Sequence, residues 1–461
     1  MNIKTSKLNM NTLFIMMMLA LFGCSKSKPV TPVVTPPATY KDPAQYGTPF
    51  ANVPATKDIV MYEINEKTFT PANFQGVDAR LDSIKALGVN VIWLMPTYPI
   101  GVLKASGSPY AVKDYEGVNA SFGSLDDLRA LVAKAHSLGM AVILDWEAND
   151  TSWDNSWITD HPSWYVQDGS GNIQQLSTYT DVAALNFNNF DMRTAMIRAM
   201  KYWVFTANID GYRCDFADNA PTDFWTQALD TLNTITTHKL IYLAEGTKGT
   251  EISAGFQISY AFSYYSTIKA LYAGTSTPSG LFATNTAELA SLPSPGVKLR
   301  YITNHDDASS DGSTISEYKG KQGALSAFVI AAYMGGVPLI YDSQEVGYPN
   351  GINFFNTIPV DYTANPDMVA AYKKILAFRA GHEAVKVGTL TPYTDASVVA
   401  FEKKSGTDDV LILVNATGST VNYAVPPAVQ GNWTDGMSNT AATLSSQLSL
   451  TPYQYVVLKK N

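Results

Sequence analysis

Four carboxylates stand at or just beyond the ends of apolar, strand-like runs of the sequence. They are Asp145, Asp215, Glu245 and Asp306. A single acid at the end of a strand is usually a helix cap or a loop residue. Four acids converging on one edge of a sheet would be costly to bury without a partner or a task. The pattern therefore favours chemistry performed by carboxyl groups.

The segments that must position these acids alternate between strand and helix. Helical patterns cover residues 81–87, 125–138, 192–205, 224–233 and 324–334. Strand-like runs cover residues 58–64, 89–95, 141–146, 209–215, 240–245, 255–260, 298–304 and 337–341. Eight strands separated by helices predict a closed parallel (β/α)8 TIM barrel, whose active site lies at the carboxyl ends of the strands. The four acids follow its third, fourth, fifth and seventh strands.

Two regions depart from a bare barrel of residues 55–384. Residues 146–186 hold four of the eight tryptophans and delay the helix expected after the third strand, which predicts a small inserted subdomain. From residue 385 to 461 the helical pattern stops. Short alternating runs there predict a C-terminal antiparallel β-sandwich domain.

The N-terminus has the pattern of a secretory signal. Lys4 and Lys7 precede ten apolar residues, 13–22, which are too few to span a bilayer. The sequence ending at Cys24 resembles the lipobox of bacterial lipoproteins. The resemblance implies a signal peptide at 1–23 and lipidation of Cys24. Residues 24–54 are rich in proline and predict a tether to a membrane. Because Ser25 follows the cysteine, we expect a lipid anchor in the outer membrane of a Gram-negative cell.

Composition excludes several classes of function. The formal net charge is −8, and no run of Lys or Arg offers a path for a phosphate backbone, so nucleic acid is not an expected partner and neutral or cationic ligands fit better. Two cysteines and five scattered histidines form no CxxC or HExxH motif, which argues against a transition-metal site. Phosphate-loop, GxGxxG and GxSxG motifs are also missing from the sequence.

Three motifs at the strand ends resemble those of the alpha-amylase family, glycoside hydrolase family 13. Gly211-Tyr-Arg213-Cys-Asp215 matches the motif of the fourth strand, Leu243-Ala-Glu245-Gly that of the fifth, and Ile302-Thr-Asn304-His305-Asp306 that of the seventh. Each motif is weak alone, but their order and strand placement agree. The resemblance covers roughly residues 50–461. It implies a retaining hydrolase of α-glucosidic bonds in starch-like glucans or maltooligosaccharides.

The resemblance also implies roles for the residues of these motifs. Asp215 would be the nucleophile, Glu245 the general acid/base, and Asp306 the carboxylate that holds sugar hydroxyls. A retaining glycosidase needs one ionised and one protonated carboxyl group about 5 to 5.5 Å apart. Arg213 can keep the nucleophile ionised, and nearby carboxylates would raise the pKa of Glu245.

Further residues are assigned to substrate binding by the same resemblance. Tyr110 matches a tyrosine that stacks on the sugar ring, and His305 a histidine that binds its hydroxyls. Arg213 and Asp145 belong to this set, Asp145 as the acid that usually supports Arg213 and the nucleophile. Asp150 stands where the family has a histidine that contacts the primary hydroxyl of the sugar.

The sequence departs from the family at its calcium site. Asn149 matches one calcium ligand, but Ala184 stands where the family often has an aspartate ligand. Calcium takes roughly six to eight oxygen ligands, and a methyl group supplies none. We therefore expect no required cofactor, with calcium possible through Asn149 only.

Three functions compete on these observations. The leading hypothesis is a membrane-anchored α-glucan hydrolase, because all three catalytic carboxylates are present. A glucanotransferase or an exo-acting oligosaccharide hydrolase of the same family would use the same residues. A catalytically silent carbohydrate-binding homologue is the third, suggested by Asp150, Ala184 and Asp218. Such a protein has no reason to keep the three acids.

Overall fold

The computed structural model describes residues 41–393 and 395–460. The predicted signal peptide, Cys24 and most of the predicted tether lie outside these residues. The compact unit begins at Asp42. Within the described ranges, no helix is both long enough and apolar enough to cross a lipid bilayer.

The described residues form nineteen strands. In chain order they are β1 (Met61–Ile64), β2 (Val91–Leu94), β3 (Ala141–Trp146), β4 (Asp150–Ser152), β5 (Gln175–Leu176), β6 (Tyr179–Ala184), β7 (Gly211–Cys214), β8 (Ile241–Ala244), β9 (Ile258–Tyr260), β10 (Val297–Arg300), β11 (Val337–Tyr341), β12 (Thr389–Tyr393), β13 (Val398–Ser405), β14 (Asp408–Asn415), β15 (Val421–Ala424), β16 (Gly431–Asp435), β17 (Ala441–Leu444), β18 (Gln447–Leu450) and β19 (Tyr455–Lys459).

Fourteen α-helices accompany the strands within the described part of the chain. They are α1 (Phe74–Asp78), α2 (Leu81–Lys85), α3 (Leu125–Ser137), α4 (Trp157–Asp160), α5 (Phe190–Thr206), α6 (Thr222–Asn233), α7 (Gly249–Ala254), α8 (Phe262–Tyr272), α9 (Pro278–Ala290), α10 (His305–Ser310), α11 (Thr314–Glu317), α12 (Lys321–Tyr333), α13 (Pro366–Gly381) and α14 (Glu383–Val387).

Eight strands close into a parallel barrel, which confirms the predicted fold. The strand order around the barrel is β1-β11-β10-β9-β8-β7-β3-β2. Every strand-like run of the sequence contains the observed strand or overlaps it closely, including the weak run at 255–260. Helices α8, α9 and α13 had no counterpart among the predicted helical patterns.

Side chains alternate between the two faces of the barrel strands, as the period of two requires. Met61, Trp93, Ile143 and Leu243 belong to the core inside the barrel. Their strand neighbours, such as Tyr62, Ile92 and Leu144, belong to the core that packs against the surrounding helices. Both faces are buried, so the strands read as continuous apolar runs.

The insertion after β3 is a small antiparallel sheet with the strand order β4-β6-β5. Asp150 of β4 pairs with Ala184 of β6. Trp157 and Trp164 pack edge to face with ring centroids 5.0 Å apart beside this sheet. The sheet lies within the range predicted for the inserted subdomain and carries part of the wall of the pocket described below.

Two antiparallel sheets follow the barrel. The larger has the strand order β12-β13-β14-β19-β16-β17, and the smaller pairs β15 with β18. Val398, Leu411, Trp433 and Leu450 are buried in the core that these strands share. A C-terminal antiparallel β domain is therefore present, as the alternating pattern predicts.

Residues 42–54, which the sequence assigns to the tether, pack on the barrel instead. Asp42 forms an ion pair with Lys201 at 2.5 Å. Phe50 is 9% exposed, lies among the residues of the inner barrel core, and stacks on His136 with centroids 4.6 Å apart. A proline-rich composition is compatible both with a free tether and with an extended segment packed on the barrel. The sequence therefore did not reveal these contacts.

Candidate active site

The strand ends bring the predicted catalytic acids to one edge of the barrel. Asp215 follows β7 and Glu245 follows β8, and their backbone N–H groups continue the parallel ladder. The Asp215 N–H donates to the carbonyl of Trp146 at 2.8 Å, and the Glu245 N–H donates to that of Cys214 at 2.9 Å. These two hydrogen bonds fix the positions from which both carboxyl groups reach into the pocket.

The Arg213 guanidinium lies below the acids and contacts three of them. Its Nη1 donates to Asp145 Oδ1 at 2.9 Å and to Asp215 Oδ1 at 2.5 Å, and its Nη2 lies 3.1 Å from Glu245 Oε2. The side chain has no exposed surface. A buried cation with this many carboxylate partners holds them in one arrangement and offsets their mutual repulsion.

Asp215 is held in the ionised form. Burial works against its charge, but the Arg213 guanidinium and a hydrogen bond with the Glu147 side chain outweigh burial and lower the pKa of Asp215. Burial and the nearby Asp150 and Asp215 carboxylates raise the pKa of Glu147 well above its usual range. Glu147 thus carries the proton of this pair, and Asp215 is an anion poised for nucleophilic attack.

Glu245 has the opposite protonation state. Burial raises its pKa to about 8, against the opposing influence of Arg213 and with a further contribution from Asp215. Its Oε2 accepts a hydrogen bond from the Phe216 N–H at 2.6 Å. Neighbouring carboxyls whose pKa values are pushed apart are the arrangement that acid and nucleophile require.

Asp306 and His305 stand at the start of α10 and line the same pocket. The Asp306 side chain is 55% exposed and lies 3.5 Å from His305 Nε2, which is 2.7 Å from the Tyr110 hydroxyl. His305 Nδ1 contacts Glu63 Oε1 at 2.5 Å. Burial disfavours the imidazolium, but the carboxylates of Asp306 and Glu63 raise the pKa of His305 to about 10.

Asp145 organises the floor of the site. Its Oδ2 accepts hydrogen bonds from Trp93 Nε1 at 3.1 Å and from the Tyr110 hydroxyl at 3.2 Å, in addition to its ion pair with Arg213. Neither Asp145 nor Arg213 lines the pocket, since both are completely buried beneath it. Their assignment to substrate binding is therefore corrected to a positioning role.

A pocket of about 480 Å³ opens above these residues. Asp215, Glu245, Asp306, Tyr110, His305 and Asp150 all line it. Three aromatic side chains on its wall remain partly exposed, Tyr179 at 56%, Phe216 at 42% and Phe355 at 39%. Flat apolar faces beside hydrogen-bonding groups are the usual means of holding a neutral sugar ring.

Several residues of this site were missed by the sequence analysis. Glu63 had one available signal, because a carboxylate in a four-residue buried strand needs a partner. Glu147 was not singled out in the sequence, yet it is 3% exposed and its side chain forms a hydrogen bond with Asp215. Asp181 and Phe355 reach the pocket from the inserted sheet and from the segment after β11, and neither carried a local signal.

The Asn149 side chain, which matches one calcium ligand of the family, makes hydrogen bonds within the protein. The Asn149 side-chain oxygen, Oδ1, accepts a hydrogen bond from Asn219 Nδ2 at 3.0 Å. The Asn149 side-chain nitrogen, Nδ2, donates to the backbone carbonyl of Asp215 at 3.2 Å. Ala184 faces Asp150 across the β4–β6 pair and offers no ligand atom. In the described ranges, no group of three or more His, Cys, Asp and Glu is arranged to hold a metal ion. Asn149 ties the end of β3 to the loop after β7.

Comparison with known proteins agrees with this geometry. Residues 46–168 match the family model described as alpha amylase, catalytic domain. The structure superposes on the crystal structure of an alpha-amylase from Lactobacillus plantarum with a TM-score of 0.80 and 26% sequence identity, covering 88% of this chain and 99% of that one. The chain is therefore similar to alpha-amylases in this matched segment and in its fold.

Two further proteins are similar to most of the chain. A maltogenic alpha-amylase from Thermotoga neapolitana superposes with a TM-score of 0.79 at 22% identity, covering 88% of this chain and 99% of that chain. Alpha-amylase 2 of Dictyoglomus thermophilum is 23% identical over 380 residues, 77% of this chain. The chain spans 66% of the length of that relative.

Proposed function

We propose that this protein is a retaining glycoside hydrolase that cleaves α-glucosidic bonds in starch-like glucans or maltooligosaccharides. The observation that carries the proposal is that two carboxyl groups contact the same guanidinium group and have opposite pKa shifts. Asp215 and Glu245 contact two nitrogen atoms of Arg213 at 2.5 and 3.1 Å, yet their pKa values are shifted in opposite directions. Closely spaced carboxyls in opposite protonation states are what a retaining mechanism requires.

In the first step, the ionised Asp215 attacks the anomeric carbon while the protonated Glu245 gives its proton to the leaving oxygen. The glycosidic bond breaks as the ester bond to Asp215 forms, and Glu245 is left ionised. In the second step Glu245 takes a proton from water, whose oxygen attacks the anomeric carbon and releases Asp215. Two inversions at one carbon leave the α configuration of the product unchanged.

The remaining pocket residues hold the sugar. Asp306 is exposed to the pocket and can accept hydrogen bonds from two adjacent hydroxyls, beside the His305 and Tyr110 side chains. Tyr179, Phe216 and Phe355 supply exposed ring faces on the pocket wall. Several exposed aromatic side chains around one pocket favour a substrate of more than one sugar unit.

The test is hydrolysis of starch, pullulan and maltooligosaccharides, with the anomer of the first-formed product followed by NMR. We expect α-product from the wild type. Asp215→Asn and Glu245→Gln should each remove nearly all activity while the melting temperature stays near that of the wild type, because both changes keep the side-chain shape. A β-product, or unchanged turnover in either variant, would refute the proposal. Transfer to longer oligosaccharides in place of hydrolysis would identify a glucanotransferase.

We also propose that the protein is anchored to a membrane through an acylated Cys24, in the outer membrane of a Gram-negative cell. The support is the lipobox-like sequence before Cys24 and the Ser25 that follows it. A lipidated protein of this kind would present its pocket to glucans near the membrane surface.

A further inference from the structure

Glu147 lies beside the nucleophile because of the register between two barrel strands. Strands β3 and β7 are parallel, and Asp145 of β3 pairs with Arg213 of β7. The Asp215 N–H donates to the carbonyl of Trp146 at 2.8 Å, so the same register continues beyond β7. Two residues further along each strand, this register sets Glu147 next to Asp215, on the face that carries Asp145 and Arg213. The two side chains are hydrogen-bonded to each other and line the same pocket.

The hydrogen bond between these two carboxyl groups has a definite donor. One of the two groups must hold a proton, because an ionised carboxylate only accepts. Arg213 Nη1 donates to Asp215 Oδ1 at 2.5 Å, which favours the ionised form of Asp215. Glu147 is 3% exposed, and its Oε1 accepts a hydrogen bond from the Asn149 N–H. The proton therefore lies on Oε2 of Glu147, which donates to the Asp215 carboxylate.

This hydrogen bond changes in strength during the proposed reaction. Its acceptor is a carboxylate in the free enzyme and a neutral ester once the sugar is attached to Asp215. A hydrogen bond to an ionised group is roughly twice as strong as one between neutral groups. The Glu147 hydrogen bond therefore stabilises the carboxylate more than the ester, and it strengthens while the bond from Asp215 to the anomeric carbon breaks.

We propose that Glu147 accelerates release of the sugar from Asp215 in the second step of the reaction; the inference rests on the proposed function. An interaction accelerates a step when it is stronger in the transition state than in the state before it. Sugar release meets this condition, since negative charge returns to Asp215 as the ester bond breaks. Attachment of the sugar does not, because negative charge leaves Asp215 in that step. The Glu147 proton stays on Glu147 throughout, and only the charge of its acceptor changes.

The test is the time course of 4-nitrophenol release from 4-nitrophenyl α-maltoside by the full-length chain. The Glu147→Met variant keeps an unbranched side chain of similar length and removes the donor. We expect its kcat to fall about tenfold, equivalent to about 1.4 kcal/mol, while kcat/KM stays within about threefold of the wild-type value. Sugar release then limits turnover. The variant should therefore give a burst of about one 4-nitrophenol per protein molecule, and mass spectrometry after acid quenching should detect the attached maltosyl group.

The Glu147→Gln variant is expected to keep the acceleration. Its Oε1 can accept from the Asn149 N–H while its amide donates to Asp215, so its kcat should stay within about threefold of the wild-type value. Glu345→Met is the matched control, since Glu345 is 1% exposed, accepts from the Tyr62 hydroxyl at 2.9 Å and does not line the pocket. It should lower the melting temperature and leave kcat unchanged. Glu147→Leu also lacks a donor and serves if Glu147→Met does not fold.

The outcomes separate this inference from the proposed function. If the wild type hydrolyses neither this compound nor maltooligosaccharides, the proposed function fails and the inference fails with it. If the wild type is active and Glu147→Met keeps the wild-type kcat, or loses kcat and kcat/KM by the same factor, the inference alone is refuted. A Glu147→Gln variant as slow as Glu147→Met would also refute it, because a hydrogen-bond donor at this position would then have no effect.

Discussion

Arg213 is the residue whose removal tests the electrostatic design of the site most directly. The Arg213→Met variant keeps much of the side-chain volume and removes the charge. It leaves Asp145 and Asp215 without the nitrogen that they contact at 2.9 and 2.5 Å, and Glu245 without the one at 3.1 Å. Removing one partner of a fully buried ion pair costs about 3 to 5 kcal/mol. For a folded unit of this size, that loss corresponds to a melting temperature lower by about 5 °C.

The loss of stability should depend on pH with a definite sign. Without the guanidinium, the pKa values of Asp145, Asp215 and Glu245 all rise, because a nearby positive charge no longer favours their ionised forms. A carboxyl whose pKa is higher in the folded than in the unfolded protein contributes stability at low pH and loses it as the pH rises. The difference between wild type and variant should therefore be smallest near pH 5 and grow toward pH 8.

Arg213→Met should also lower activity, because it changes the ionisation of the nucleophile Asp215. In the wild type the pKa of Asp215 is lowered by Arg213, so the acid side of the pH–rate profile lies below the usual range for an aspartate. In Arg213→Met, Asp215 holds its proton to higher pH. The acid limb moves upward, and kcat/KM at pH 7 falls by at least about a hundredfold.

The measurements are denaturant unfolding at pH 5, 6, 7 and 8 and kcat/KM on a maltooligosaccharide over the same range. Arg193→Met is the matched control, since Arg193 is also buried, at 5% exposed, but pairs with Asp223 away from the pocket. It should lower stability and leave the pH–rate profile in place. If Arg213→Met stays folded with its acid limb at the wild-type pH, Arg213 does not control the ionisation of Asp215 and the reasoning is refuted.

Three further outcomes are expected. Because burial raises the pKa of Glu245 to about 8, kcat/KM should fall as the pH rises through about 8, and a profile that stays flat to pH 10 would contradict its role as general acid. A strong chelator should lower the melting temperature by less than about ten degrees, because Asn149 and Ala184 supply no calcium site; a larger fall that added calcium reverses would show the opposite. Cys24→Ser should release the protein from membranes, and a variant that still pelleted with them would exclude lipidation as the anchor.

Local patterns in the sequence were sufficient to predict the barrel and its carboxylates. The eight strands are short apolar runs buried on both faces, so their composition alone separates them from the amphipathic helices between them. The boundaries were less accurate, and α8, α9 and α13 were missed. Strand ends fixed the order of Asp145, Asp215, Glu245 and Asp306, because parallel strands of one barrel all end on the same side.

The pocket wall could not be predicted in the same way. Nothing local in the sequence shows that Glu147 is buried against Asp215, or that Asp181 of β6 lines the pocket. Residues 42–54 have the composition of a tether, but in the structure Phe50 stacks on His136. In each case the deciding contact joins segments far apart in the chain.

The sequence by itself determined which residue types stand at the strand ends, and thereby the barrel, the predicted catalytic acids and the resemblance to alpha-amylases. Only the tertiary structure decided the protonation states of these carboxyl groups and the side chains that they contact. Arg213 becomes common to three carboxyls, Glu245 acquires a raised pKa, and Asp150 is left without a donor because burial and charge proximity depend on distances in space. Those distances are set by how the strands close into a barrel and how the inserted sheet packs over it, which no local stretch of sequence specifies.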